Sequence, residues 1–352
     1  MRDEKITIAK AMAIMLMVIC HAGLPHVGGQ FVTMFHMPLF FFVSGYCFKD
    51  KYLNDVRQFS INKVKGLYVP FVKWSLLFLV LHNVFFHLNI YNDVCGWKGV
   101  VSQLYGWKDV VKNVAKIVLA MTETEQLLGG YWFLKELFLG SFLALGCFKY
   151  LKNDFLGASI LLLIAIVMSW FDVEVPTVHI ASRTFFAGFF IVMGRAYKRM
   201  NVDADKWPIT IMAFIIVSMG SVWCGTSMLS YSAIQILPYS VCAILGTIMI
   251  LNLSHRLSLY QNWAKRFLMF VGDHTLEVLT WHFLSFKLVS LLIIWVYALP
   301  IEQLAGFPII KGYSLMYWPL YSFVGVCVPI GALYIRKQLS YQYCVKLTFN
   351  RL

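Results

Sequence analysis

Charge is what this sequence has least of. Only 13% of its 352 residues are Asp, Glu, Lys or Arg, about half the share of an ordinary soluble domain. A soluble enzyme of this length is therefore excluded. The eight cysteines form no CxxC pair, so neither a zinc site nor a disulfide framework is expected, and no metal. There is no long Lys/Arg run and no basic domain with interleaved aromatics, which excludes nucleic acid as the reason for the net charge of +13. No internal repeat, linker or low-complexity tract divides the chain, so residues 1–352 are expected to be a single domain. The first apolar run lacks a small-residue cleavage site and leads directly into more apolar chain, so it reads as a retained span.

What is abundant is apolar sequence: 60% of the residues are hydrophobic, with a mean hydropathy of +0.70. A span needs about 20 mostly apolar residues. We expect an all-α, polytopic transmembrane bundle of about ten spans: 6–26, 30–48, 67–88, 131–149, 155–171, 181–198, 207–224, 232–253, 275–297 and 314–335. Residues 114–128, half apolar, are expected to form an interfacial or re-entrant helix. Residues 255–272 are amphipathic and are expected to lie at the interface. With the N terminus inside, 21 Lys/Arg fall in inside segments and 5 in outside segments. Cytoplasmic loops hold the positive excess, so both termini are expected in the cytoplasm.

Ionisable residues in lipid are costly and point to function. On this topology His21, His36, Glu136 and Arg183 share the outer half of the bilayer, although they come from four spans. Lys10, Ile14, Met17 and His21 form one helical stripe. His36, Phe40, Val43 and Ser44 form a second, and Trp132, Glu136 and Gly140 a third. A Lys at one end and a His at the other share a face of the first span, which suits a site reached from both sides. The bland reading is that each His bonds a carbonyl of a neighbouring helix, that Glu136 pairs with Lys135, and that Lys73 and Lys287 snorkel or pair structurally. Trp97, Trp107, Tyr91 and Tyr105 in the long outer connection suit sugar stacking, but also plain membrane anchoring.

Two stretches carry a resemblance. Lys5-Ile-Thr-Ile-Ala-Lys10 leads through an apolar run to His21. Phe35-His36-Met37-Pro38-Leu39-Phe40-Phe41-Phe42-Val43-Ser44-Gly45-Tyr46 then opens the second span. With Gly130-Tyr131-Trp132-Phe133-Leu134, and weaker echoes at Pro70 and in Gly272…Leu276 leading to His282, this strongly resembles the acyltransferase-3 family of integral membrane acyltransferases. The chain departs from the family pattern at Thr7, where an acidic residue is common. It departs again at Lys63 and Gly66, where two Arg often stand; Lys65 lies between. Basic charge is kept there without the bidentate grip of Arg.

The resemblance implies a multi-pass protein of the bacterial cell (inner) membrane. It implies transfer of a small acyl group, usually acetyl, from cytoplasmic acyl-CoA to a hydroxyl of an extracytoplasmic or lipid-linked glycan, among membrane lipid. On that reading acetyl-CoA is the acyl-donor substrate and His21 the general base. His36 assists, Glu136 orients a His as in a catalytic triad, and Arg183 stabilises the oxyanion or the acceptor. Lys10, Lys63, Lys65 and His282 are the candidates for holding the donor. The competing expectation is a secondary transporter exporting a glycan precursor or small anion. It would show paired Gly/Pro-interrupted spans in two matching halves, which are not found.

Overall fold

The computed structural model describes residues 3–97, 101–176, 178–201 and 206–349, with side chains to 339. Arg2, Lys98 and Arg351, counted in the charge tally, lie outside them. Fourteen α-helices follow one another along the described residues: α1 (Glu4–His21), α2 (His26–Thr33), α3 (His36–Tyr46), α4 (Val56–Lys63), α5 (Val69–His87), α6 (Trp107–Ala120), α7 (Trp132–Tyr150), α8 (Asp154–Trp170), α9 (Ser182–Met200), α10 (Trp207–Cys224), α11 (Ile236–Ser258), α12 (Trp263–Asp273), α13 (Thr275–Tyr297) and α14 (Ser314–Phe349). No strand occurs among them, only two isolated bridges.

Each of the ten expected spans coincides with helix. Six segments are long and apolar enough to cross a membrane: His26–Tyr46, Val56–His87, Trp207–Cys224, Ala233–Ser258, Thr275–Tyr297 and Lys311–Leu339. The other four fall short for visible reasons. α1 carries Glu4, Lys5 and Lys10, α7 carries Lys135, Glu136 and Lys149, and α9 carries Arg183, Arg195, Lys198 and Arg199; α8 has 17 residues.

The second expected span is not one helix. It begins at His26 and breaks at Met34 and Phe35 before α3 starts at His36. Pro38 then falls in the first turn of α3, where a missing N–H costs nothing. The basic segment 49–66, between the second and third expected spans, is helical from Val56. Asp55 caps α4 by accepting from Gln58 N at 2.9 Å, and a π-turn at Val64–Tyr68 joins α4 to α5. In the long connection after α5, the helix starts at Trp107 and stops at Ala120, earlier than expected at both ends. Asp109 fixes its start by accepting from Gly106 N at 3.0 Å, and Met121 ends it in a left-handed conformation, φ 48°. Within 255–272, α11 continues to Ser258, and α12 is a separate amphipathic helix capped by Asn262.

Two close approaches hold the scaffold around α1 and α3. A β-carbon on Gly45 would lie 1.7 Å from Ile191 O, and one on Gly194 1.9 Å from Phe42 O. Small residues therefore let the α3 and α9 backbones touch, the usual route to tight packing in lipid. Gly272 of α12 meets α1 likewise, 2.0 Å from Thr7 O on the same measure. Lys265 Nζ adds an ion pair to Glu4 at 2.8 Å. The N-terminal end of α1, the C-terminal end of α3 and the start of α13 thus lie at one end of the bundle, here called the basic end. At that end Arg195 bridges Asp50 (2.8 Å) and Asp154 (3.2 Å), tying the turn after α3 to α8 and α9.

Candidate active site

Between α1, α3, α7 and α13 lies a cavity of about 340 Å³. The helical stripes read from the sequence form its walls: Lys10, Ile14 and Met17 on α1, and Phe40, Val43 and Ser44 on α3. α7 contributes Phe133, Leu134 and Leu137, and α13 contributes Leu276 and Leu279. The exposed residues Cys47 and Gly66 mark its mouth at the basic end. Of the donor candidates, Lys10 lines this cavity. Lys63 donates to Ser44 Oγ at 3.2 Å, on its wall. Lys65 stands exposed on the π-turn, next to Gly66.

One turn beyond Met17 on the same stripe is His21. Its Nδ1 lies 3.0 Å from Nε2 of His282 on α13. His282 Nδ1 in turn lies 3.0 Å from both Val278 O and Leu279 O. Carbonyl oxygens only accept, so in the neutral pair His282 must carry its proton on Nδ1 and accept at Nε2. His21 must then donate from Nδ1, which leaves the lone pair on its Nε2. The chain carbonyl–His282–His21 thus holds His21 in the tautomer a base requires. His282 sits with His21, about 16 Å along α1 from Lys10 at 1.5 Å per residue, and not among the basic residues of the mouth.

His36 obeys the same logic. Its Nδ1 donates to Val32 O at 2.8 Å across the break between α2 and α3, so its Nε2 also keeps a lone pair. Val32 O also accepts from Phe35 N at 3.2 Å, so this carbonyl serves both donors with its two lone pairs.

Glu136 and Arg183 come together, but around a different centre. Glu136 lies in a buried cluster with Lys135, Arg183 and Thr184, and the guanidinium of Arg183 lies 5.3 Å over the Trp132 ring. Glu136 Oε2 and Arg183 Nε are buried without a hydrogen-bond partner. Glu123, from the segment before α7, joins the cluster, and its Oε1 is likewise buried and unpartnered. Burial pushes the Glu123 carboxyl up to about 8, against the pull of Arg183 and Lys135. Among the described contacts, the side chain that orients His21 is His282 rather than Glu136. Sequence reading missed Glu123, which lies in a segment without periodicity. It also missed the buried pair His82 Nδ1–Glu125 Oε2, 3.0 Å apart, in which His82 stacks on Tyr105 at 3.5 Å.

The end opposite the mouth is closed. The ring of Phe283 stacks on His21 at 4.8 Å, and Phe307 packs on Phe283 at 4.7 Å. Lys287, expected to snorkel or to pair, instead donates to Leu304 O and Gly306 O at 2.8 Å each, fixing the 298–313 connection over the bundle. Lys73 is exposed, over the Trp74 ring at 4.6 Å.

A family model described as an acyltransferase domain matches residues 3–337. No curated protein and no solved structure matches the chain.

Proposed function

Because the chain belongs to the acyltransferase-3 family over nearly its whole length, and is thus a membrane acyltransferase, we propose that it moves a small acyl group, acetyl first, from cytoplasmic acyl-CoA to a hydroxyl of an extracytoplasmic or lipid-linked glycan. In this reading it spans the bacterial inner membrane ten times with both ends inside, and the basic end faces the cytoplasm. The observation that carries the proposal is the His21–His282 contact, one helical turn beyond Met17 on the stripe that lines an apolar cavity whose mouth is basic.

The cavity suits the acyl-pantetheine arm of the donor. Lys10, Lys63 and Lys65 suit its phosphates by charge attraction. The thioester then lies towards His21. His21 Nε2 takes the proton of the sugar hydroxyl as that oxygen attacks the thioester carbonyl. The C–O bond forms, the C–S bond breaks, and the proton passes to the departing thiolate, giving the O-acyl sugar and free CoA thiol. The imidazolium formed on the way keeps its Nδ1–H bond to His282, as the His of a triad does with its carboxylate. Base catalysis of this kind contributes about 10²–10⁴-fold. His36, with a lone pair on Nε2, assists His21. The cluster of Glu123, Glu136 and Arg183 serves as a support for α7 and α9.

The test is acyl transfer from radiolabelled acetyl-CoA by the purified protein in nanodiscs. His21→Ala is expected to insert and purify as wild type does and to lose transfer. Wild-type rates from that variant would refute the assignment.

A further inference from the structure

At the closed end, directly over the imidazole pair, lies a second cavity of about 680 Å³. Its lining includes Trp97, Gln303, Phe307, Ile309 and Lys311. The rings of Trp97 and Phe307 are nearly parallel, 5.6 Å apart at 14°, and Trp97 is 48% exposed. The floor is two rings thick, since Phe307 packs on Phe283 and Phe283 on His21. Ile309 presses on Gly23, two residues past His21, so closely that a β-carbon there would lie 2.6 Å from its Cδ1.

The walls come from two distant parts of the chain, and buried polar groups pin both. Gln126, fully buried, accepts from Trp97 N at 2.9 Å and donates to Ala305 O at 3.3 Å. Lys287, also buried, holds the carbonyls on either side of Ala305. The backbone frame is thus rigid, while an indole face, an amide and an ammonium line the space between. A membrane-anchoring Trp needs none of this. An aromatic platform with a few polar groups is how a site takes a ring that has an apolar C–H face and a hydroxylated edge.

We propose that this pocket is the acceptor subsite. A saccharide ring lies on Trp97, with its hydroxyls met by Gln303 and Lys311, and Phe307 is the barrier its accepting hydroxyl passes to reach His21. The proposal rests on the acyltransfer reading above and adds where the acceptor sits.

Binding can be measured apart from chemistry. Saturation-transfer NMR on the full chain in nanodiscs, without acyl-CoA, would use methyl α-glucoside, methyl α-galactoside and N-acetylglucosamine as probes. Wild type and His21→Ala are expected to give ring-proton signals with at least one probe, Trp97→Ala to lose them, and Trp97→Phe to keep them. Trp170→Ala is the control, because Trp170 is 64% exposed and lines a different pocket, beside α8 and Arg183; it is expected to change nothing. In turnover, Trp97→Ala raises the acceptor KM tenfold or more with little change in the acetyl-CoA KM, while Phe307→Ala raises acetyl-CoA hydrolysis severalfold by admitting water. Absence of binding by any probe to wild type overturns the subsite, as does equal loss in Trp97→Ala and Trp170→Ala. Binding that depends on Trp97 with no acetyl-CoA turnover would uphold the subsite and refute the acyltransfer reading instead.

Discussion

Nδ1 of His21 and Nε2 of His282 stand 3.0 Å apart, and two backbone carbonyls behind His282 decide which way the proton between them points. His282 is therefore a positioning residue. His282→Ala leaves His21 free to turn and to change tautomer. Its kcat is expected to fall about 10²-fold with little change in either KM, within the range for loss of a base's orienting partner. His282→Gln should recover part of the loss, because its amide oxygen accepts from His21 Nδ1–H. Steady-state kinetics of the three proteins check this. Equal kcat in wild type and His282→Ala would remove His282 from the mechanism.

The cavity predicts a steric block. Leu137 lines it, whereas Leu139, two residues on, does not. Leu137→Trp is expected to lower kcat/KM for acetyl-CoA at least tenfold, and Leu139→Trp to stay within about twofold, since uniform loss of donor binding appears in that ratio. Circular dichroism confirms that both remain helical.

Charge at the mouth predicts a salt effect. Lys63→Ala is expected to raise the acetyl-CoA KM severalfold in dilute buffer. The effect shrinks at 1 M salt, where the screening length is about 3 Å. Ser44→Ala removes the other half of the Lys63–Ser44 bond but no charge, so its KM should hold. An equal effect from both would mean that the bond, and not the charge, matters.

Glu123 predicts how stability responds to pH. Its carboxyl titrates at about 8 in the folded protein, against an ordinary 4.5, because burial penalises the anion. The folded state holds the proton more tightly, so stability is full below about pH 4.5 and is lost as pH rises to 8. Glu123→Gln has nothing to titrate. Its melting temperature in detergent should match wild type at pH 5 and exceed it by a few degrees at pH 9. Parallel curves would disprove the linkage.

Much of the site was legible because helical periodicity survives folding. The stripes Lys10–Ile14–Met17 and Phe40–Val43–Ser44 line one cavity because each is a single helix face, and small-residue contacts seat α3 on α9 and α1 on α12. Pairings between distant segments left no such mark. His21 and His282 are 261 residues apart, and nothing along the chain says that α1 lies beside α13. The break before His36 was invisible to hydropathy, since Met34 and Phe35 are as apolar as their neighbours. Glu136 was expected to serve a histidine because depth was known and azimuth was not. α7 gives Phe133, Leu134 and Leu137 to the cavity, and Glu136 joins Lys135 and Arg183 instead.

The helix contacts carry a prediction of their own. Gly194→Ala would place a carbon 1.9 Å from Phe42 O, which forces α3 and α9 apart. It should cost about 3 kcal/mol or more, in the range of severe overpacking. Gly146→Ala meets nothing within 4 Å and should be neutral or gain about 0.5–1 kcal/mol from helix propensity. Thermal denaturation in detergent separates the two.

The row of rings from His21 through Phe283 and Phe307 to Trp97 has an energetic meaning for the cell. A hole that let CoA reach one side of an imidazole and sugar the other would also conduct protons, and imidazole is a good proton carrier. An aromatic seal two rings thick would break the water file at that point. On the proposed function, acyl groups then cross the bilayer one at a time while the proton gradient across the membrane stays intact.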